Sequence, residues 1–362
     1  MGGAAMSRRA PRMKIVSIVG ARPQFVKAGP VSAALRQRHV EILVHTGQHY
    51  DDRMSAVFFD ELGIPQPDHH LGIGSGTHGA QTGRMLAAIE EVIVAERPDW
   101  MLVYGDTNST LAGALAASKL GVPVAHVEAG LRSWNRAMPE EINRVIADHL
   151  STLLFSPSAT AVRNLASEGI TQGVHEVGDV MSDSLRGASA RAGARSTVLE
   201  GLGLAEQSYI LATVHRADNT DDPARLSGIL EALGAVSGPV VFPVHPRTRA
   251  AIARQGHDVG RTVQMIEPVG YLDMVRLEAS ARMILTDSGG VQKEAYWLGV
   301  PCITMRDETE WVETVDAGWN VLVGASRDAI VQAARTFAPP SLRPPLYGDG
   351  HVADKIAARI GA

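Results

Sequence analysis

The chain is poor in cysteine and has no excess of basic residues, and both features narrow its possible functions. Cys302 is the only cysteine, so the chain can form no intrachain disulfide and no thiol-based metal site. Lysine and arginine together number 34 against 39 acidic residues, which gives a formal net charge of −5 at pH 7. Such a chain does not bind nucleic acid or an anionic membrane through bulk charge. Any anionic ligand must therefore meet a local cluster of donors.

Long hydrophobic runs are also missing. The apolar segments have the length of single strands, which is too short to span a membrane. The small and basic segment 1–12 is followed by the short apolar run Ile15–Val19, which is too short and wrongly flanked for a signal peptide. We predict a disordered tail over 1–12 on a cytoplasmic protein that has no membrane partner.

Short apolar runs alternate with amphipathic stretches along the whole chain, whose 362 residues suffice for about two domains. One series of predicted strands begins at Lys14–Val19 and closes at Val174–Val177. A second series begins at Tyr209–Thr213 and closes at Val321–Val323. This alternation is typical of parallel sheets with helices on both faces. The predicted fold is α/β, with two doubly wound Rossmann-like domains and a cleft between them.

The predicted domain boundary precedes segment 182–207, which is rich in Ala, Gly, Ser and Arg and has no strand pattern. We place the N-terminal domain at 13–180 and the C-terminal domain at 181–349. The helical segment 350–362 is expected to pack back on the N-terminal domain. Ligands of open α/β sheets bind beyond the carboxyl ends of the strands, where the strand order reverses. We therefore expect the ligand at these strand ends.

The turn after the first predicted strand is a candidate phosphate site. Gly20 allows a tight turn there, and Arg22 and Lys27 lie at the start of the next helix. The helix dipole disfavours cations at that end unless an anion binds. The alternative interpretation is two solvated charges on a surface loop. The chain lacks a Gly-x-Gly-x-x-Gly motif at this turn, so a nicotinamide is not indicated and we predict no cofactor.

A second glycine turn occurs in the segment 286–294, between a predicted strand and a predicted helix. Ser288, Gly289 and Gly290 supply a hydroxyl and bare backbone N–H groups at a helix N-terminus, an arrangement that suits a diphosphate. Glu294, one helical turn further on, is placed to accept the two hydroxyls of a ribose. The alternative is an ordinary capped helix start.

Three carboxylates are predicted at strand and helix ends on one side of the first sheet. Asp106 follows one strand, Glu128 follows another, and Glu140 begins a helix. Carboxylates that converge raise one another's pKa, which produces a general acid or base that works near neutral pH. Asp106 could instead cap the following helix. Glu141 is expected to face the helix surface or to pair with an arginine.

The same carboxylates would also be consistent with a divalent metal ion. We favour that interpretation less and predict no metal, because nearby arginines already supply positive charge. These arginines are Arg22, Arg132 and Arg144.

Two histidines follow strands of the second series. His215 comes after its first strand and His245 after its second. A histidine at such a strand end is a candidate acid, base or phosphate donor. A structural role is the alternative, and for His245 we weigh the two interpretations equally.

Together, these motifs resemble the non-hydrolysing UDP-N-acetylglucosamine 2-epimerase family. Each motif is weak alone, but the ordered set from Lys14 to Gly324 is specific. In chain order the matching motifs are Gly20-Ala-Arg-Pro, Thr46-Gly-Gln-His, Gly105-Asp-Thr, His126-Val-Glu-Ala-Gly-Leu-Arg, Met138-Pro-Glu-Glu-Ile-Asn-Arg, Val177-Gly-Asp, His215-Arg, Thr286-Asp-Ser-Gly-Gly-Val-Gln-Lys-Glu and Met305-Arg-Asp-x-Thr-Glu.

The resemblance implies a glycosyltransferase-B-like homodimer that binds a UDP-sugar between its domains. It further implies interconversion of UDP-GlcNAc and UDP-ManNAc by anti elimination of UDP, through 2-acetamidoglucal, and re-addition of UDP without nicotinamide. The family's catalytic carboxylates fall on Asp106, Glu128 and Glu140, and its histidine falls on His215. Its nucleotide contacts fall on Arg22, Lys27, Ser288, Gly289, Gly290 and Glu294. The predicted substrate-binding set also includes Arg132, Arg144 and Tyr271.

Two departures from the family pattern concern the substrate and its regulation. Trp311 stands where many members have an arginine that contacts the nucleotide. Tyr50 follows Gln48-His where members activated by UDP-GlcNAc have an arginine. Both variants resemble the branch that epimerises UDP-2,3-diacetamido-2,3-dideoxyglucuronate, which stays open as the substrate. A retaining glycosyltransferase, a hydrolysing epimerase and a nucleotide-sugar sensor stay open as less favoured functions.

Overall fold

The computed structural model describes residues 12–48, 64–256 and 259–360, except for the side chain of Arg22. Tyr50 and nearly all of the tail predicted over 1–12 lie outside the described residues. Contacts divide the chain into two units. Unit 1 runs to Ser184 and resumes at Tyr347, whereas unit 2 is Leu185–Leu346. Within the described ranges, no helix combines the length and the apolar composition needed to cross a membrane.

Unit 1 contains a seven-stranded sheet in which all pairings are parallel. Its strands are β1 (Lys14–Val19), β2 (Val40–His45), β3 (His69–His70), β4 (Trp100–Tyr104), β5 (Val124–Val127), β6 (Leu153–Ser156) and β7 (Val174–Glu176). Its first helices are α1 (Arg22–Arg38), α2 (His78–Glu96), α3 (Asn108–Lys119), α4 (Pro139–Leu150) and α5 (Ala159–Ser167). The strand order is β3-β2-β1-β4-β5-β6-β7.

Unit 2 contains a six-stranded parallel sheet. Its strands are β8 (Ile210–Thr213), β9 (Val240–Pro243), β10 (Val263–Ile266), β11 (Met283–Thr286), β12 (Cys302–Thr304) and β13 (Asn320–Leu322). The helices from the unit boundary onward are α6 (Met181–Arg195), α7 (Val198–Leu202), α8 (Ala217–Thr220), α9 (Pro223–Ala235), α10 (Pro246–Gln255), α11 (Tyr271–Ser280), α12 (Gly289–Leu298), α13 (Val312–Asp316) and α14 (Arg327–Thr336). The strand order is β10-β9-β8-β11-β12-β13.

Each sheet reverses its strand order at one point. In unit 1 the reversal lies between β1 and β4, and in unit 2 it lies between β8 and β11. The prediction of two doubly wound α/β units is therefore confirmed. The rule that ligands bind at such switch points directs attention to the turns after these four strands.

Helices cover both faces of each sheet, which explains why the central strands read as continuous apolar runs. In β1, Ile15, Val16, Ile18 and Val19 are all fully buried. Two helices that the sequence pattern did not reveal are α10 and α14. Arginines interrupt the apolar pattern of α10, and Ile330 is the one residue of α14 that is fully buried.

The last helix, α15 (Val352–Arg359), belongs to unit 1. The Asp183 carboxylate accepts hydrogen bonds from the backbone N–H groups of Val352 and Ala353 at 3.2 and 2.7 Å. These two donors lie in the first turn of α15 and have no partner within the helix, so Asp183 fixes its N-terminal end. Near the other end, the Ala357 carbonyl lies 3.2 Å from Nε2 of His39.

Because β2 contains a buried histidine, His45, we expect the stability of unit 1 to fall at low pH. His45 packs against Phe25 and His70, with ring centroids 5.0 and 4.4 Å away. Its Nε2 has no hydrogen-bond partner among the described residues. Burial, reinforced by the adjacent His70, lowers the pKa of His45 from 6.5 to about 4. The unfolded chain therefore binds this proton at a higher pH than the folded chain does.

The neutral His45 contributes up to about 3 kcal/mol to the free energy of unfolding. This contribution is fully present above pH 6.5 and is lost as the pH falls toward 4. We expect His45→Leu to flatten this pH dependence when urea unfolding is compared at about pH 7 and about pH 4.5. His149→Leu, which removes an exposed histidine of α4, should leave the dependence in place. If His45→Leu loses as much stability between these two pH values as the parent does, His45 is not the source of the pH dependence.

Candidate active site

One glutamine connects the two turns at the switch point of unit 1. Gln24 lies in the first turn of α1, and its Oε1 accepts hydrogen bonds from the backbone N–H groups of Gly20 and Ala21 at 2.8 and 3.1 Å. Its Nε2 donates to the Tyr104 carbonyl at 2.8 Å, at the end of β4. Gly20 has no room for a side chain, because an added Cβ would lie 2.2 Å from the Ser109 hydroxyl. The turns after β1 and β4 are therefore held together.

Glu128 and Lys27 form an ion pair beside these turns. Glu128 follows β5 with a left-handed φ of 74°, an uncommon conformation for a residue other than glycine and one that clusters at functional sites. An added Cβ at Gly105 would lie 3.3 Å from the Glu128 carboxylate and 3.6 Å from Lys27 Nζ. Burial alone lowers the pKa of Lys27, but the carboxylates of Glu128 and Asp179 outweigh this and raise it. Lys27 is therefore a fixed cation beside Glu128.

Asp106 directly follows Gly105, and its carboxylate pairs with Arg144 of α4. Arg144 donates to the same Asp106 oxygen from Nη2 at 2.6 Å and from Nε at 3.0 Å. The predicted alternative, in which Asp106 caps the next helix, is wrong because the Thr107 side chain caps α3. The Asp106 side chain is 31% exposed and thus remains open to a ligand. The structure brings Asp106 and Glu128 to neighbouring strand ends, as the sequence predicted.

Glu141 is buried and holds the loop that precedes α4. Its carboxylate accepts hydrogen bonds from the backbone N–H groups of Ser133 and Trp134, both at 2.9 Å, and pairs with Arg144 at 2.9 Å. Burial favours a raised pKa, but these donors outweigh it and lower the pKa of Glu141. Of the two predicted positions, the helix surface is wrong and the pairing with an arginine is confirmed. Glu140, its neighbour, is exposed in the first turn of α4.

Arg132 lies in a buried ion-pair network and not on an open surface. Its side chain is 0% exposed and pairs with Asp148 at 2.7 Å and with Glu168 through two hydrogen bonds of 2.7 Å. Its predicted contact with substrate is therefore corrected to a structural role, because the guanidinium is already enclosed by these two carboxylates. No sequence motif indicated that Asp148 and Glu168 would be its partners.

The switch point of unit 2 is built around the buried carboxylate of Asp287. It accepts hydrogen bonds from the backbone N–H groups of His215 and Arg216 at 3.0 Å and from the Asn219 amide at 3.1 Å. The His215 Nδ1 lies 3.2 Å from the same carboxylate, and the His215 side chain is 43% exposed. Burial favours a raised pKa, but the hydrogen bonds outweigh it and lower the pKa of Asp287. Asp287 thus stays ionised and holds His215 at the strand end.

His245 caps a helix. Its Nδ1 accepts a hydrogen bond from the backbone N–H of Arg247 at 3.2 Å, at the start of α10. Its ring centroid lies 6.0 Å from that of His215. Of the two interpretations left open for His245, the capping hydrogen bond supports the structural one.

The glycine turn, defined here as Ser288, Gly289 and Gly290, opens α12 after β11. The Ser288 hydroxyl caps the helix by accepting from the Val291 N–H at 3.4 Å. An added Cβ at Gly289 would lie 2.6 Å from the Glu310 carboxylate and 3.2 Å from Trp311 Nε1. Glu294, one turn further along α12, is 9% exposed. The backbone N–H groups of this helix start remain a candidate diphosphate site.

The sequence did not indicate how the charged residues next to the glycine turn pair with one another. The Glu310 carboxylate accepts hydrogen bonds from the guanidinium groups of Arg306 at 2.8 Å and Arg216 at 3.3 Å. Lys293 lies 3.8 Å from the ring centroid of Trp311, in cation–π geometry. The family motifs included all four of these charged residues, but nothing in the sequence indicated that the glutamate would pair with both arginines.

Glu278 of α11 is a second residue without a sequence signal. It is 1% exposed, and neither carboxylate oxygen has a hydrogen-bond partner within the described part of the chain. Burial raises the pKa of Glu278 well above its ordinary value, and the nearby Glu294 adds to the shift. Burial and the nearby Glu294 therefore both favour the protonated form of the Glu278 carboxyl. Tyr271, at the start of the same helix, is half-buried.

The close approach at Gly289 predicts a binding defect for Gly289→Ala. The new methyl group would displace the Glu310 carboxylate and the Trp311 indole from the face of the glycine turn. If the turn binds the UDP that the family resemblance implies, UDP binding measured by isothermal titration calorimetry should weaken by about tenfold, which is about 1.4 kcal/mol. Gly193→Ala is the matched control, because an added Cβ there meets nothing within 4 Å. Equal UDP affinity in Gly289→Ala and the parent would remove the turn from the nucleotide site.

Comparisons with known proteins show which family the chain resembles. The sequence model of a family described as UDP-N-acetylglucosamine 2-epimerase matches residues 33–361. The chain is 55% identical to UDP-2,3-diacetamido-2,3-dideoxy-D-glucuronate 2-epimerase of Pseudomonas aeruginosa over 356 residues, which covers 95% of this chain and 98% of that protein. It is 44% identical to UDP-N-acetylglucosamine 2-epimerase of Methanocaldococcus jannaschii over 339 residues, covering 89% and 91% of the two chains.

A crystal structure of the Methanocaldococcus jannaschii enzyme, in complex with UDP-GlcNAc and UDP, superposes with a TM-score of 0.82 at 42% identity. The alignment covers 96% of this chain and 99% of that one. The sequence match, the two doubly wound units and the structural similarity lead to one conclusion. The chain belongs to the UDP-N-acetylglucosamine 2-epimerase family of isomerases.

Proposed function

We propose that this protein is a non-hydrolysing 2-epimerase that interconverts UDP-GlcNAc and UDP-ManNAc. In the forward direction the C2–H and C1–O bonds break, a C1–C2 double bond forms, and UDP leaves with the electron pair of the C1–O bond. UDP then adds back to the 2-acetamidoglucal, and a proton returns to the opposite face of C2. The observation that carries this proposal is the pair of carboxylates, Asp106 and Glu128, each held by its own cation at neighbouring strand ends.

The proton transfers fit the carboxylates of unit 1. An unactivated C2 proton needs a positioned base, and inversion needs a second group that delivers a proton to the other face. Glu128 beside Lys27 and Asp106 beside Arg144 are two acid–base groups that each have a defined partner. Glu140, which is exposed to solvent, is our third proposed catalytic carboxylate.

The departure of UDP fits the glycine turn of unit 2. Charge develops on the diphosphate as the C1–O bond breaks, and donors aimed at that charge lower the barrier. The helix start at Ser288 to Gly290 provides backbone N–H groups, and His215 is held by Asp287 on the adjacent strand end of the same sheet. We propose His215 as a donor to the departing diphosphate.

The proposed nucleotide contacts are those of the sequence prediction without Arg132, whose guanidinium is enclosed in ion pairs. Glu294 is proposed to bind the ribose hydroxyls. The remaining proposed contacts are Arg22, Lys27, Arg144, Tyr271, Ser288, Gly289 and Gly290. We also propose a homodimer that needs no cofactor, which light scattering and activity after exhaustive dialysis would test.

A second candidate substrate is UDP-2,3-diacetamido-2,3-dideoxyglucuronate. Two observations favour it. The Pseudomonas aeruginosa relative named for this substrate is 55% identical to the chain. Trp311 stands where many family members have an arginine that contacts the nucleotide, and its ring lies against the Lys293 ammonium group. The chemistry at C1 and C2 would be the same for both substrates.

Incubation with each UDP-sugar in D2O, followed by NMR, tests the function. We expect UDP-ManNAc to form from UDP-GlcNAc with deuterium at C2. Turnover of the diacetamido uronate alone would move the assignment to the second substrate. If neither sugar incorporates deuterium at C2 and neither is converted to its 2-epimer, the proposed function is wrong.

A further inference from the structure

One histidine of unit 1 connects the strand that leads to Glu128 with the backbone that leads to Asp106. His126 belongs to β5 and is completely buried. Its Nε2 lies 2.7 Å from the carbonyl oxygen of Gly105, the residue before Asp106. Its Nδ1 lies 2.7 Å from Oδ1 of Asp148 on α4. Glu128 follows two residues later in the chain.

The partners of His126 determine where its protons are. A carbonyl oxygen can only accept, so Nε2 must carry a hydrogen to bond Gly105. An ionised carboxylate also only accepts, so Nδ1 must carry a hydrogen as well if Asp148 is ionised. A ring with hydrogens on both nitrogens is an imidazolium. The protonation state of His126 therefore depends on the charge of Asp148.

The other contacts of Asp148 favour its ionised form. Its Oδ2 accepts from Arg132 Nη1 at 2.7 Å and from the Gly130 N–H at 3.1 Å, and both atoms are donors only. Burial favours a raised pKa, but His126 and Arg132 outweigh it and lower the pKa of Asp148. The same surroundings raise the pKa of His126 against the effect of burial, through Asp148, the Gly105 carbonyl and Glu128.

The turn that carries Asp106 is fixed at several points in addition to His126. The Asp106 carbonyl accepts from the Asn143 side chain at 2.9 Å, and its carboxylate pairs with Arg144. Both of these partners belong to α4, which also carries Asp148. The Gly105 N–H donates to the Val127 carbonyl of β5 at 3.0 Å, and His126 adds the side-chain contact between this turn and β5, two residues before Glu128. A fixed separation between the two carboxylates is what proton transfer at a single carbon requires.

We propose that His126 is a buried imidazolium and a positioning residue that joins the turn of Asp106 to the strand of Glu128. It does not touch the substrate and transfers no proton. The charge state stands on the hydrogen-bond geometry alone, whereas the positioning role rests on the proposed function.

Histidine ring ¹⁵N NMR of the intact protein tests the charge state without any substrate. His126 is assigned by the signal that disappears in His126→Asn. At about pH 8, above the ordinary histidine pKa of about 6.5, both His126 nitrogens should still show the shifts of protonated nitrogens. A neutral pattern, with one nitrogen deprotonated, would overturn the proposal even if the enzyme epimerises its substrate as proposed.

Two variants test the positioning role. The His126→Gln amide can take the place of Nε2 and donate to Gly105, whereas the shorter His126→Asn amide can take only the place of Nδ1 and donate to Asp148. We expect His126→Asn to lower kcat by about 10²-fold with little change in KM, as expected for misplaced catalytic groups, and His126→Gln to recover much of the loss. Equal kcat per folded molecule in both variants and the parent would contradict the role. If the parent itself epimerises nothing, the proposed function fails and the NMR result still decides the charge state.

Discussion

Glu128→Gln is expected to lower kcat by about 10³-fold, in the middle of the range for loss of a general acid or base. The amide preserves the shape of the side chain beside Lys27 but cannot take up a proton at neutral pH. Because the glycine turn and His215 of unit 2 are unchanged and Lys27 keeps its charge, the Kd for UDP should change much less than kcat. Epimer formation followed by NMR and UDP titration by calorimetry measure the two quantities separately.

Asp106→Asn should likewise lower kcat with little change in the Kd for UDP, because the Asp106 carboxylate is paired with Arg144 as that of Glu128 is with Lys27. Glu90→Gln, which changes an exposed carboxylate of α2, is the matched control and should turn over at the parental rate. A Glu128→Gln protein that folds and turns over like the parent would remove Glu128 from the proton transfers.

Arg132→Met is expected to destabilise unit 1 by about 3–5 kcal/mol, the usual cost of removing one partner from a buried ion pair. Methionine fills much of the aliphatic volume of the arginine, so the loss comes mainly from the charges that remain. The fully buried Asp148 would lose its arginine partner, and Glu168 would lose both of its short hydrogen bonds. Hydrogen exchange of peptides from α4 and α5, measured against urea concentration, reports the loss within unit 1.

Lys14→Met is the control for Arg132→Met in the same unit. Lys14 pairs with Glu96 at the surface, where its side chain is 39% exposed, and such a pair contributes about 0–1 kcal/mol. Similar exchange behaviour in the two variants would mean that the buried network adds no more than a surface pair. That result would also weaken the argument that Arg132 keeps Asp148 ionised.

The fold followed from local patterns that sequence shows well. Parallel strands buried on both faces read as apolar runs, and Lys14–Val19 was predicted with the bounds that the structure has. Elements whose apolar face is small produced no signal. The strand β3 has only two residues, and α10 carries three arginines among its ten residues.

Residues of the candidate site were predictable where a motif lies at a strand end. Asp106 and the glycine turn fall at the switch points, and Glu128 falls at the neighbouring strand end, because the carboxyl ends of parallel strands lie at one edge of the sheet. The partner of each charge was not predictable, because pairing depends on tertiary contacts between distant segments. Lys27 and Glu128 are 101 positions apart in the chain, and Arg132 and Glu168 are 36 apart. Arg132 was misplaced for this reason.

Positional isotope exchange tests the proposed elimination most directly. The UDP-sugar is prepared with ¹⁸O in the atom that bridges C1 and the β-phosphorus. If the C1–O bond breaks and the bound UDP rotates its terminal phosphate, ¹⁸O moves into the non-bridging positions of recovered substrate and epimer, and we expect this scrambling. Epimer that forms while all of the ¹⁸O stays in the bridge would contradict an elimination that leaves the terminal phosphate of bound UDP free to rotate.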